Sequence, residues 1–560
     1  MDIKERMKNM IRLFTQHYIR TQKELDGTWE FVREDGRRYS LIVPGCWEQH
    51  PEMLNFRGKG SYQKTIITDK DSNLRLEFKG ISHTAKVFWD NELVAQHYNA
   101  FTPFACVIRN VKKGKHIIRI EVDNLFGIES ALHIPNDYYT YGGITRPVVL
   151  ETIPEVYIEK IHVLPYRKKG RWYADMSAKI INVGETLYHF ALDGKIAEEQ
   201  IQFHDCEVKP GEACVIQKTV LCENVEVWCN ENPKLYMVEL NLKINNVICD
   251  DYRERIGFRT VEIKNQKILI NGAPVFLKGF NRHEDYGTIG CAIPPQLMAQ
   301  DLDMMLDMGA NAVRTCHYPN DERFLDLCDE RGIMVWEENH ARGLSVEEML
   351  NPNFEKQCED CNKEMVENHF NHPSIIIWGI LNECASETAE GRTMYKKQYE
   401  QIRRMDTSRP LTSATCKHFE DICLDLPDVL SFNIYSGWYE DVPVLERHNR
   451  VMDWLQADRE DKPVIVSEFG AAAIYGFRDK GKCKWSEERQ EKVLQENIKV
   501  YQEDSRLSGM FIWQFADCKV TEEGGWFASR ARCHNNKGIV DEYRRPKMSY
   551  DLVKKMFCEI

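Results

Sequence analysis

The 560-residue chain contains no run of about 18 consecutive apolar residues, so no membrane-spanning helix is expected. It has no basic surplus either: 74 Lys and Arg stand against 87 Asp and Glu, a formal net charge of −13. Nucleic acid and anionic membrane surfaces are therefore not expected partners, since both require a broad basic face. No internal repeat or low-complexity segment stands out. The opening residues, MDIKERMKNMIRLFTQHYIR, are charged throughout and lack the apolar stretch and small-residue cleavage site of a secretory leader. The 19 cysteines are odd in number and scattered. Without a leader they read as reduced, mostly buried thiols rather than a disulfide framework, and a cytoplasmic location is expected. Cys358 and Cys361 form a CxxC, but EKQCEDCNKEM looks helical and has no second pair, so two ordinary helix cysteines are expected rather than a metal or redox site.

What is present is the material of a large folded core. Hydrophobic residues make up 43% and charged residues 29%, and the length allows three or four domains, or fewer if one is a large barrel. The first 150 or so residues offer short strand candidates (Leu74–Phe78, Ala85–Trp89, His116–Val122) separated by turn clusters such as DKDSN and KKGK. Such spacing predicts a jelly-roll β-sandwich over 1–153. The segments VYIEKIHVLP, ADMSAKIINV and YMVELNLKI predict an immunoglobulin-like β-sandwich over 154–257.

From residue 258 to 560 apolar strands alternate with helical runs. Eight strand candidates appear: Val275–Phe280, Ala312–Thr315, Ile333–Trp336, Ser374–Leu381, Leu411–Ala414, Val429–Ile434, Val464–Ser467 and Met510–Phe515. Between the first two, PPQLMAQDLDMMLDMG has a prolyl start, apolar residues at 298, 302, 305 and 306, and Gly309 as a stop. Eight strands with intervening helices predict a catalytic (β/α)8 TIM barrel, whose active site lies at the C-terminal ends of its strands. Glu383 terminates SIIIWGILN and Glu468 terminates VIVS, at the fourth and seventh strand ends. Two carboxylates so placed suit glycosidic hydrolysis, which needs a proton donor and an anion. A solvated strand-end Glu is the competing reading for each taken singly.

The segments ENHFNHPSIIIWGILNE (367–383) and GANAVRTCHYPNDERFLDLCDERGIMVWEE (309–338) closely resemble the two signatures of family 2 glycoside hydrolases. The likeness extends through VPGCWEQ, YGGITRPVVL and GFRTVEIKNQKILINGAPVFLKGFNRHED, and so along the whole chain. It implies the same three-part architecture and a retaining mechanism, with Glu383 as acid/base and Glu468 as nucleophile. In a retaining site the two carboxyl groups lie about 5–5.5 Å apart.

Finer matches resemble the β-glucuronidase branch. SFNIYSGWY implies Tyr435 and Tyr439 at the site, FIWQFAD implies Trp513 as a sugar platform, and NDYYTYGGI implies Asp137 reaching over the barrel mouth to a sugar hydroxyl. Asn382 and His283 match sugar-contacting positions, and His317 resembles another. Asn535-Asn536-Lys537 resembles the Asn-x-Lys motif by which that branch binds a C6 carboxylate, a role suited to an amide donor and an ammonium. Arg532, in SRARCH, stays unassigned because that stretch departs from the family pattern. Glu338 and His340 form an E-x-H similar to magnesium ligands of some family galactosidases, but neither a metal nor any other cofactor is expected. The resemblance thus implies an exo-β-glucuronidase acting on glucuronides or related uronides, with β-galacturonidase as the alternative. A β-galactosidase or an inactive sugar-binding protein is more remote, and a homo-oligomer is expected. The stretch between Glu338 and Asn371 is short, which predicts a site open on the leaving-group side unless a neighbouring subunit closes it.

Overall fold

In the computed structural model, residues 17–458, 462–522, 525 and 529–559 are described; the charged residues 1–16 lie outside them. The N-terminal region packs a six-stranded antiparallel sheet, including Gly27–Arg33, Lys59–Thr68 and Gly114–Asp123, on a four-stranded sheet that includes Ser72–Phe78 and Val148–Ile153. Alternation in these strands turns Trp29, Phe31, Leu74, Leu76, Ile118 and Ile120 into one core. The second region is also a sandwich. Its three-stranded sheet (Val156–Lys168, Arg171–Asn182, Ala213–Cys222) faces a four-stranded one that contains Tyr236–Ile244, over a separate core.

Eight parallel strands close the barrel: β1 (Leu277–Arg282), β2 (Ala312–Thr315), β3 (Met334–Glu338), β4 (Ile375–Gly379), β5 (Leu411–Thr415), β6 (Val429–Asn433), β7 (Val464–Phe469) and β8 (Leu507–Ile512). All eight expected strands are present, with shifted ends. β8 begins at Leu507 rather than Met510, because Ser508 and Gly509 interrupt its apolar run. β1 runs on through Asn281 and Arg282, both fully buried, to the mouth of the barrel. A small three-stranded sheet (Val261–Lys264, Lys267–Ile270, Ala273–Pro274) closes the opposite end, where Ile268 and Ile270 pack on Leu277, Met334, Ile377 and Phe511.

Helix α1 (Pro295–Asp307) follows the expected pattern with one correction. Met298, Leu302 and Met305 are buried, but Leu306 is 40% exposed. The buried place falls to Asp301, which is held between the guanidinium groups of Arg282 and Arg544. Helix α2 (Glu322–Arg331) is capped by Asp321 and stopped by Gly332, whose φ is +71°. A Cβ at Gly332 would meet the carbonyl oxygen of Asn230 at 2.4 Å, so only glycine permits the second sandwich to dock here. Cys358 and Cys361 are buried, free cysteines on helix α3 (Phe354–His369). Among the described residues no helix is long and apolar enough to cross a membrane.

The seam between the first sandwich and the barrel contains a run of imidazoles. His83 stacks on His133 at 4.4 Å, and His133 meets the ring of His340 at 4.1 Å. Burial pushes His83 down to about 4, Arg57 adding to it and Asp123 opposing, and pushes His340 down to about 3. His133 is held well below the ordinary histidine range, by burial and then by its two ring neighbours. The unfolded chain binds protons to these groups from about pH 6.5 downward while the folded chain does not, so folding stability falls as pH falls. For His83 alone the loss is on the order of 3 kcal/mol once pH is below about 4. The thermal midpoint should therefore drop between pH 6.5 and 4, and less steeply in His83→Gln. An equally steep drop in that variant would locate the acid sensitivity elsewhere.

Candidate active site

At the C-terminal mouth of the barrel the strand ends surround a cavity of about 350 Å³ whose wall includes Asp137, Glu383, Tyr435, Glu468, Trp513 and Lys537. Its floor is organised by Arg314 of β2, a charged residue inside an otherwise apolar strand and fully buried. The Arg314 guanidinium makes paired bonds of 2.9 Å to both oxygens of Glu338. It also donates to Glu468 at 2.9 Å, Asn281 at 3.0 Å and the side-chain oxygen of Asn382 at 2.8 Å.

Glu468, at the end of β7, receives a second hydrogen bond from the Tyr435 hydroxyl at 2.7 Å. Glu383 lies beyond β4 in a left-handed conformation, φ +54°, that turns its carboxylate into the cavity. It accepts from Asn433 at 2.9 Å and from Arg342 at 3.2 Å. Burial, together with the negative charge of Glu383, pushes Glu468 up to about 7, although Arg314 and Tyr435 pull it down. Glu468 is thus ionised only above about pH 7.

Two imidazoles and an amide complete the floor. His317 places Nδ1 2.7 Å from the Glu338 carboxylate, which fixes the proton on that nitrogen, and its ring stacks on Trp513 with centroids 4.9 Å apart. Its Nε2 is left as a buried acceptor without a partner. His283 sits beside it, Nδ1 3.1 Å from the Tyr318 hydroxyl and Nε2 likewise without a partner. Burial, with Arg342 and Arg314 adding, pushes His283 down to about 3, so it is neutral. The oxygen of Asn382 is taken by Arg314 and Asn433, while its buried amide nitrogen has no partner. Leaving buried polar atoms unpaired is costly, and these three lie next to cavity residues: both imidazoles meet the Trp513 ring, and Asn382 precedes Glu383.

One side of the cavity is built from other segments. Lys537 is buried, yet among the described residues its ammonium hydrogen-bonds only to a phenol, Tyr439, at 2.8 Å, and lies 5.5 Å from the centre of the Tyr435 ring. Burial lowers the Lys537 pKa. Burial opposes, but Lys537 and Arg530 outweigh it and lower the Tyr439 phenol. Asp137 arrives from the N-terminal sandwich and accepts two bonds from Arg530, 3.0 and 2.6 Å, and one from Asn535 at 2.8 Å. Asn535 thus stands behind Asp137 with its amide nitrogen engaged there, while Lys537 itself faces the cavity. Arg532 points away, paired with Glu542 and 46% exposed at its side chain. Both oxygens of Glu338 are taken by Arg314 and His317, and His340 bonds to Tyr138 at 3.0 Å, so the two do not converge on one point.

Four contributing residues were not singled out from sequence: Arg314, Arg342, Asn433 and Arg530. Arg314 alone carried a signal, as a lone charge within the apolar run ANAVRT.

The comparisons with known proteins agree along the whole chain. Residues 25–154 match glycosyl hydrolases family 2, sugar binding domain; 156–259 match glycosyl hydrolases family 2; and 261–560 match glycosyl hydrolases family 2, TIM barrel domain. The chain belongs to glycosyl hydrolase family 2. It is a glycoside hydrolase with the three-part architecture of that family. A crystal structure of a β-galacturonidase of this family from Eisenbergiella tayi is 45% identical, with 98% of each chain covered and a TM-score of 0.95. A β-D-glucuronidase structure from Dictyoglomus thermophilum is 27% identical over 98% of this chain and 99% of that one, with a TM-score of 0.84. A β-glucuronidase from Streptococcus agalactiae is 27% identical over 97% of both chains.

The raised Glu468 sets an expected pH dependence. Hydrolysis that uses Glu468 as an anion needs it ionised, so kcat/KM should fall as pH drops through about 7. A profile flat from about pH 8 down to about pH 5 would show that Glu468 is not required as an anion.

Proposed function

We propose that this hydrolase removes terminal β-linked uronic acid residues with retention, Glu383 acting as acid/base and Glu468 as nucleophile, and that galacturonides are its preferred substrates. The observation that carries the uronide reading is Lys537. It is a buried ammonium at a cavity wall with one neutral phenol as its hydrogen-bond partner, which leaves N–H donors for an anion. Arg530 beside it is already neutralised by Asp137. A sugar carboxylate next to Lys537 completes the charge balance, whereas the CH2OH of a hexose does not.

Galacturonide is favoured over glucuronide by the 45% identity to the Eisenbergiella tayi β-galacturonidase, against 27% to the glucuronidases. A second structure of a β-galacturonidase from that organism, 44% identical with a TM-score of 0.95, is bound to galacturonate. Glucuronide is the second reading. Assay of paired aryl β-galacturonide and β-glucuronide separates them, and a higher kcat/KM on the glucuronide reverses the preference.

In the reaction Glu383 protonates the glycosidic oxygen as the carboxylate of Glu468 attacks the anomeric carbon. This breaks the bond to the aglycone and forms a glycosyl ester. Arg314 holds the attacking carboxylate in place, and Tyr435 transfers its hydrogen bond as negative charge leaves Glu468. Water then attacks the ester, Glu383 takes its proton, and Glu468 departs as carboxylate. The free amide nitrogen of Asn382 and the Nε2 atoms of His283 and His317 bind hydroxyls.

Glu468→Ala should abolish turnover of every substrate, because no ester forms. Glu383→Gln should lose about 10²–10⁴-fold on poor leaving groups and much less on activated aryl glycosides. The first-formed sugar, followed by NMR, should be the β-anomer; an α-anomer means inversion and overturns both roles.

Lys537→Ala tests the substrate class. Loss of one charge-assisted hydrogen bond, about 1.5–3 kcal/mol, corresponds to roughly ten- to a hundredfold in kcat/KM on an aryl uronide. Activity on the matching hexoside should stay level or rise. Equal losses on both, with the fold intact by circular dichroism, would remove Lys537 from the carboxylate site.

A further inference from the structure

All nineteen cysteines are free, and two of them touch across the seam between the N-terminal sandwich and the barrel: the sulfurs of Cys46 and Cys291 lie 3.6 Å apart. They are 245 residues apart in sequence. Cys46 is buried just before the turn Trp47–Gln49; Cys291 is partly exposed, on the loop that follows β1. Gly290 stands at their junction with φ +61°, and a Cβ there would come within 3.0 Å of the Cys46 sulfur. Its bare backbone is what allows the two thiols to approach. A disulfide bond is about 2.05 Å long, so the sulfurs need to close by about 1.5 Å, within reach of small side-chain rotations.

The surroundings connect this contact to the site. The amide of Gln49 donates to the Ile289 carbonyl at 2.9 Å, across the same seam. The backbone of Trp47 donates to Gly142 at 3.0 Å, and the Gly142 amide donates to Glu48 at 3.0 Å. Tyr141 then reaches Asp285 of the barrel at 3.2 Å. Residues 136–144 are therefore held by chain neighbours of the thiol pair, Trp47 and Glu48 on one side and Asp285 on the other, with Tyr141 packed beside both cysteines, and this is the segment that carries Asp137 to the cavity.

We propose that Cys46 and Cys291 form a redox latch: a small-molecule disulfide oxidises them to an intramolecular disulfide that fixes the Asp137 segment against the barrel mouth. Cys291, the accessible thiol, loses its proton and attacks the small disulfide, forming a mixed disulfide and releasing one small thiol. Cys46 then loses its proton and attacks the Cys291 sulfur, forming the protein disulfide and releasing the second small thiol. Two protein thiols and one disulfide become one protein disulfide and two thiols. Burial, with the neighbouring thiol adding, holds Cys46 well above the ordinary thiol range, so the second step is slow and the latch responds over long exposure rather than in bursts.

The test is to equilibrate the intact enzyme with oxidised and reduced glutathione at graded ratios, trap free thiols by alkylation, and map the peptides. A peptide joining Cys46 to Cys291 is expected, lost on reduction and absent from Cys291→Ser, which is a mild change at a partly exposed site. The oxidised enzyme should keep its kcat and lose activity on heating several-fold more slowly than the reduced one. Cys291→Ser should inactivate at the reduced rate under both conditions. Recovery of Cys46 and Cys291 as separate alkylated peptides at every ratio would overturn the proposal. A cross-link that leaves the inactivation rate unchanged would overturn its role as a latch. Neither readout depends on which sugar the enzyme cleaves.

Discussion

The geometry of the site depends on one buried cation. A guanidinium has five N–H donors and cannot lose its charge, so burying it is unfavourable unless every donor is met. Arg314 meets that condition through five bonds: two to Glu338 and one each to Asn281, Asn382 and Glu468. Because the fork is rigid, its partners are fixed relative to one another. Glu468 is aimed, the amide of Asn382 is oriented with its nitrogen outward, and Glu338 is held where it sets the proton of His317. Removing Glu338 would therefore act on Glu468 at second hand, through a cation left with two unmet donors.

The barrel alone does not complete the cavity. Asp137 comes from the N-terminal sandwich, and Arg530, Asn535 and Lys537 come from the chain beyond β8. The carboxylate of Asp137 neutralises Arg530 and orders Asn535, which leaves Lys537 as the cation whose hydrogen-bond partner among the described residues is a phenol. The seam of histidines, Tyr141 and the Cys46–Cys291 contact is what brings Asp137 into place. Loosening the seam would change the charge at the Lys537 end of the cavity before it changed Glu383 and Glu468.

The large features of this arrangement were legible in sequence because they repeat. Eight apolar strands announced the barrel, and the polar residues that end β4 and β7 announced Glu383 and Glu468. The errors fall where a local pattern is overruled by a distant partner. Leu306 satisfies a helical core period, yet Asp301 takes the buried place because Arg282 and Arg544, on other elements, compensate its charge. The contact of Asn535 with Asp137, 398 positions away, has no local signal either, although it takes only one of the amide's two N–H donors. Arg342 and Arg530 lie in loops with no periodicity, so nothing local distinguishes them from solvated surface arginines. Arg532, two residues from Arg530, shows how little spacing helps: one bonds to Asp137 and Tyr439 of the cavity wall and the other, half exposed, to the buried Glu542.

An overall charge of −13 opposes an anionic substrate, but the field that matters is that of the cavity. Around it stand five cations, Arg314, Arg342, Arg447, Arg530 and Lys537, and five carboxylates, Asp137, Glu338, Glu383, Glu440 and Glu468. Below about pH 7 one of those carboxylates carries a proton, with Glu468 pushed up to about 7 by burial and by Glu383. The cavity then has a surplus of one positive charge, located at the Lys537 end. A uronate brings the single negative charge that cancels it. When pH rises and that proton leaves Glu468, the surplus vanishes, so on the proposed reading a sugar carboxylate is held less firmly over the same range in which Glu468 becomes able to attack. Substrate charge and the ionisation of Glu468 are in this way coupled through one electrostatic balance, although Lys537 and Glu468 sit on separate segments of the fold.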